Sequence, residues 1–163
     1  MIDSKSLCLM WQLIVAEDPS VQLYDYQVTA ACNHSIDIIE SANKYAIDPF
    51  ILSAIVYNES RWTKDIKNKE GACGLAQVVY KYNPENESRK KCNKLLDPKI
   101  NLEASAKIIN SYYSKSKDYY KALACYASGP KCTYKKYGKI IVSFANKLKR
   151  YYSKVKPNVQ SSN

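Results

Sequence analysis

Residues 48–60 read DPFILSAIVYNES, and the fold is read outward from them. Asp48 followed by Pro49 is a helix start. The aspartate can accept from a free backbone N–H, and proline at the first helical position has no N–H to leave unpaired. From Phe50 to Tyr57 the run is apolar nearly all round, the pattern of a helix enclosed by other elements. It ends in Asn58-Glu59-Ser60. Ile55 and Val56 stand one helical turn before Glu59, so its carboxyl projects from an apolar face. Desolvation there disfavours the anion and raises the pKa. A carboxylic acid kept protonated near neutral pH can donate a proton to a leaving oxygen. An isolated glutamate at a helix end usually points to water, so the rest of the chain must decide its role.

Helical signals flank this element on both sides. Ala31, Ile36, Ile39 and Ala42 predict one helix over residues 29–45. Asp97-Pro98 repeats the cap-and-proline start and opens a helix to about residue 114. Asp118 caps another over 119–127, which Gly129-Pro130 stops, and a last helix is expected over 137–152. Residues 61–96 contain Trp62, Gly71, Gly74 and Asn83-Pro84 and read as irregular, with a short hairpin or helical turn. Residues 1–26 read as a leader or loosely attached segment broken at Glu17-Asp18-Pro19, residues 27–156 as the domain, and 157–163 as a flexible tail. The apolar run LCLMWQLIVA at 7–16 is too short to span a bilayer as a helix. It fits either a signal-peptide core or a partly buried first helix.

Composition narrows the class. A length of 163 residues with 46% hydrophobic content fits one globular domain. The net charge of +10 calls for an anionic partner, unless lysine-rich compositional drift accounts for it. The six cysteines, at 8, 32, 73, 92, 125 and 132, form no CxxC pair, and His34 is the sole histidine. A zinc site is therefore a poor fit, and no metal or cofactor is expected. Disulfides in an oxidising compartment fit better, and local separation favours Cys125–Cys132, Cys73–Cys92 and Cys8–Cys32. Buried free thiols are the alternative.

Four blocks in order carry a resemblance: YNES at 57–60, GACGLAQV at 71–78, DPKINLEASAKII at 97–109 and ALACYASGP at 122–130. Together they resemble the soluble lytic transglycosylase domain family, with its Glu-Ser pair, GxxGLxQ block, Asp-Pro…Asn helix and ALAxYNAGP block. The likeness covers residues 37 to about 151. It implies a mostly α-helical, goose-lysozyme-like single domain with a glycan groove and a small irregular lobe.

It also implies an activity: cleavage of the β-1,4 bond between N-acetylmuramic acid and N-acetylglucosamine, leaving a 1,6-anhydro end. Glu59 would be the single acid and base. The attacking hydroxyl already belongs to the substrate, so its effective concentration is high and no second catalytic carboxylate is needed. Tyr126 matches the family tyrosine that orients the catalytic carboxyl. Ser60, Asn68, Gly71, Gly74 and Gln77 match positions near the glycan, with Gln77 able to donate to and accept from a sugar. Asn101 matches a structural asparagine. Three departures stand out. Ala127-Ser128 replaces Asn-Ala, Asn68 replaces a serine, and Cys73 and Ala76 stand where methionines are usual.

Two rivals follow from the same residues. A hydrolytic muramidase would need Asp65 or Glu70 to hold a water. A non-catalytic wall-binding assembly protein would keep the groove without turnover. From Tyr119 onward the chain has no Asp or Glu, and its lysines alternate with tyrosines. That pattern also marks nucleic-acid binders, but the glycan motifs point instead to anionic polymers of the cell envelope. The expected partners are peptidoglycan strands and those polymers, in wall remodelling, a secretion or conjugation assembly, or a phage particle. The expected location is the periplasm, the cell envelope or the exterior.

Overall fold

A computed structural model describes residues 1–80 and 92–160. Seven helices surround one core among these residues: α1 (Ser4–Glu17), α2 (Asp25–Asn33), α3 (Ser35–Lys44), α4 (Pro49–Ser60), α5 (Pro98–Ser116), α6 (Tyr119–Ser128) and α7 (Lys135–Gln160). A two-stranded antiparallel hairpin, β1 (Ala72–Cys73) and β2 (Val78–Val79), forms the small lobe between α4 and α5. The mostly helical class with a small lobe is thus the observed one.

The caps read from sequence are in place. Asp48 accepts from Phe50 N–H at 2.9 Å, Asp97 from Ile100 N–H at 3.0 Å, and Asp118 from Tyr120 N–H at 2.8 Å. Helix α4 is the central rod. Every residue from Phe50 to Tyr57 is buried, because α3 and α7 pack against it. Helix α7 turns one stripe inward, Tyr137, Ile141, Ala145, Leu148, Tyr152 and Val155. These recur every three or four residues, as a helix facing a core requires. Gly138 lets that helix approach α6, since a Cβ there would strike the Tyr120 carbonyl.

Three expectations are corrected. The single helix over 29–45 is two helices, α2 and α3, which meet at His34, whose backbone is non-helical. The first 26 residues are not loosely attached. Leu7, Met10, Trp11 and Ile14 of α1 are fully buried in the common core, Cys8 is bonded to Cys32 of α2, and the boundary drawn at residue 27 falls inside α2. The last helix begins at Lys135 and reaches Gln160, so the tail expected from 157 starts within it. The Asn83-Pro84 turn and residues 161–163 lie outside the described residues.

The cysteines pair as separation favoured: Cys8–Cys32, Cys73–Cys92 and Cys125–Cys132. Among the described residues no helix is long and apolar enough to cross a membrane.

Candidate active site

Glu59 occupies the last turn of α4, just before Arg61 closes the helix in a left-handed conformation. Its carboxyl is half-buried. The phenol of Tyr137, from the first turn of α7, donates to its Oε1 at 2.5 Å, and the Asn58 side-chain amide donates to the same oxygen at 3.3 Å. Burial pushes the Glu59 carboxyl above the usual glutamate value. The two hydrogen bonds act in the opposite direction without cancelling it. Burial and the facing carboxylate hold the Tyr137 phenol well above its ordinary value, so it stays a donor.

Tyr137 in turn stacks on Tyr126, with ring centroids 6.4 Å apart. Tyr126 was expected to orient the Glu59 carboxyl, and the structure gives that contact to Tyr137. The Tyr126 hydroxyl is occupied elsewhere: it donates to the Ala76 carbonyl at 2.6 Å and accepts from Ser105 Oγ at 3.1 Å. Tyr126 therefore fastens the small lobe to α5 and α6. Its ring also lines a groove of about 580 Å³ bounded by Gln77, Val78, Ile108, Tyr112 and the 127–131 turn. Glu59 does not line that groove. Tyr137, bonded to Glu59 and stacked on the groove-lining Tyr126, connects the two.

The remaining sequence candidates serve the framework around the carboxyl. Ser60 is buried and donates to the Val56 carbonyl of its own helix at 3.2 Å. The Asn68 side chain accepts from Ala72 N–H at 2.9 Å and closes the turn before β1. Gln77, in a left-handed conformation, donates its amide to the Ile66 and Gly74 carbonyls at 3.1 and 3.0 Å, which leaves its side-chain carbonyl for the groove.

The two glycines were expected to admit a sugar, but the close approaches they permit are internal. A Cβ on Gly71 would meet the Tyr80 ring, and one on Gly74 would meet the Asn101 side chain and the Leu95 carbonyl. Gly74 also has φ +72°, which disfavours a side chain independently. Asn101 is wholly buried, as its structural reading expects. It donates to the Cys73 and Leu95 carbonyls at 2.7 and 2.8 Å and accepts from Ala76 N–H at 2.8 Å. Asp65 and Glu70 are exposed in the segment after α4.

Tyr137 is the partner of Glu59 that sequence reasoning missed. In sequence it is one of the tyrosines that alternate with lysines after Tyr119. The three-to-four spacing of Tyr137, Ile141, Ala145, Leu148 and Tyr152 would have put it on the inward face of the last helix.

Comparison with known proteins agrees with this architecture. The family described as "Transglycosylase SLT domain" matches residues 37–140. The chain is also similar to "Membrane-bound lytic murein transglycosylase E" of Buchnera aphidicola subsp. Acyrthosiphon pisum (strain APS), 29% identical over 117 residues. The match covers 63% of this chain and 52% of that protein, so the chain spans about half the length of the curated relative it matches.

Proposed function

Because this chain belongs to the transglycosylase SLT domain family, we propose that it cuts peptidoglycan glycan strands as a lytic transglycosylase, with Glu59 as the one acid and base. The bond broken is the β-1,4 link from N-acetylmuramic acid to N-acetylglucosamine. Glu59 starts protonated and gives its proton to the glycosidic oxygen as the carbon–oxygen bond breaks. The muramyl 6-hydroxyl then attacks the anomeric carbon and returns a proton to the carboxylate. The product is a 1,6-anhydro end, no water is consumed, and Glu59 finishes protonated again.

The observation that carries this reading is the environment of the carboxyl. Glu59 ends an enclosed helix, burial holds its pKa up, and the Tyr137 phenol grips Oε1. In this mechanism Oε2 carries the transferable proton. The phenol steadies the carboxylate formed midway, so acid and base forms share one geometry. The groove beside Tyr126 receives the glycan, with the Gln77 carbonyl and Tyr112 on its walls. Three disulfides suit an oxidising setting, and the proposed location is the periplasm or the cell envelope.

Mass spectrometry of muropeptides released from purified wall tests the proposal. Wild type is expected to give anhydro ends and Glu59→Gln none. Reducing ends from wild type would identify a hydrolytic muramidase. Tight wall binding without any product would identify a non-catalytic binder.

A further inference from the structure

A second pocket, of about 600 Å³, lies on the other side of the 129–131 turn from the groove. Its walls carry four lysines, Lys121 from α6, Lys131 from the turn, and Lys135 and Lys139 from α7. All four are exposed, and among the described residues none has an ion-pair partner. Three other lysines of α7 contrast with them. Lys147 pairs with Asp18, Lys149 with Asp48 and Lys154 with Glu17. The one acidic side chain on the pocket is Asp118, whose Oδ1 is engaged in capping α6.

The pocket and the groove share a wall. Pro130 and Lys131 line both, and the Cys125–Cys132 disulfide joins Cys125 on the groove side to Cys132 on the pocket side. A polymer lying in the groove therefore passes beside a concentration of unneutralised positive charge. Like charges gathered around one pocket repel one another, and an anion among them relieves that repulsion.

We infer that the four-lysine pocket binds an acidic branch of the substrate, the carboxylates of a peptide borne by the glycan in the groove. The inference rests on the proposed function, because the branch must be carried by a glycan strand. An exposed ion pair is worth little singly, and the four lysines act as a cluster whose attraction weakens with salt. The pocket thus selects glycan that still carries its peptides and sets the register of the strand against Glu59.

The test compares cleavage of intact peptidoglycan with cleavage of the same glycan after an amidase has removed its peptides. Wild type and the triple variant Lys121→Gln/Lys135→Gln/Lys139→Gln are assayed on both. Lys131 is left unchanged because it lines the groove. Wild type is expected to prefer the peptide-bearing glycan. The variant is expected to lose roughly three- to tenfold on that substrate only, and high salt should mimic the loss in wild type. The matching triple Lys→Arg variant should keep the preference. Equal preference in wild type and the Gln variant would overturn the inference while leaving the proposed function intact. If wild type cleaves neither substrate, the proposed function falls and the inference with it.

Discussion

At Glu59 two effects of opposite sign meet on one carboxyl. Burial raises its pKa, and the Tyr137 hydroxyl lowers it by stabilising the anion. Tyr137→Phe removes the lowering contribution and leaves the apolar surroundings. The pKa of Glu59 should then rise further, and the alkaline limb of the pH–rate profile should move to higher pH while kcat falls. A profile unmoved by the substitution would remove Tyr137 from the site. The same balance acts on stability. A carboxyl whose native pKa lies above its unfolded one stabilises the fold fully below the unfolded value, and this stability is lost as pH rises through the native value. Glu59→Gln should therefore melt above wild type at neutral pH, with the gap closing in acid, as a thermal melt at several pH values would read.

Asn101 is a residue-scale feature of the framework. Three backbone partners depend on its side chain. Asn101→Leu should destabilise the protein by roughly 3 kcal/mol, measured from the denaturant midpoint, because it leaves buried polar groups unpaired. The structural part of Asn101 and the buried helix that ends beside Glu59 were legible in sequence, because their neighbours in the chain form recognisable blocks. The partner of Glu59 was not, because Tyr137 lies 78 positions away and only the packing of α7 on α4 brings it there.

Among the elements, what sequence disclosed follows from local chemistry. Asp48-Pro49, Asp97-Pro98 and Asp118 act within one helical turn, and all three mark true helix starts. The end of α5 was harder to read, because Lys117 takes the left-handed cap conformation that glycine usually signals. The attachment of α1 was obscured for another reason. Its apolar run is as consistent with a signal-peptide core as with a packed helix, and only tertiary contact separates the two. The disulfides rank these attachments. Cys8–Cys32 encloses a longer loop than Cys125–Cys132, with sequence separations of 24 and 7. From loop-closure entropy, replacing the first pair by alanines should cost about 3.5 kcal/mol, and replacing the second about 2.5 kcal/mol. Chemical denaturation of the two double variants checks that order. The second should also weaken glycan binding, since that disulfide stiffens the wall of the groove.

Over the whole molecule, whose net charge is +10, two groups of lysines have different surroundings. One is used inside the fold, where Lys147, Lys149 and Lys154 tie α7 to acidic residues on α1, its C-cap and the start of α4. The other, Lys121, Lys131, Lys135 and Lys139, surrounds the pocket beside the groove. Sequence showed the excess but not the division, because pairing depends on which helices become neighbours. The central rod and the last helix meet at one carboxyl, and that meeting supports the proposed chemistry. Its most direct test is digestion of peptidoglycan in heavy-oxygen water, with wild type and Glu59→Gln side by side. The account predicts anhydro ends free of solvent oxygen from wild type and no cleavage by the variant. Heavy oxygen in the new ends, or undiminished cleavage by Glu59→Gln, would contradict it.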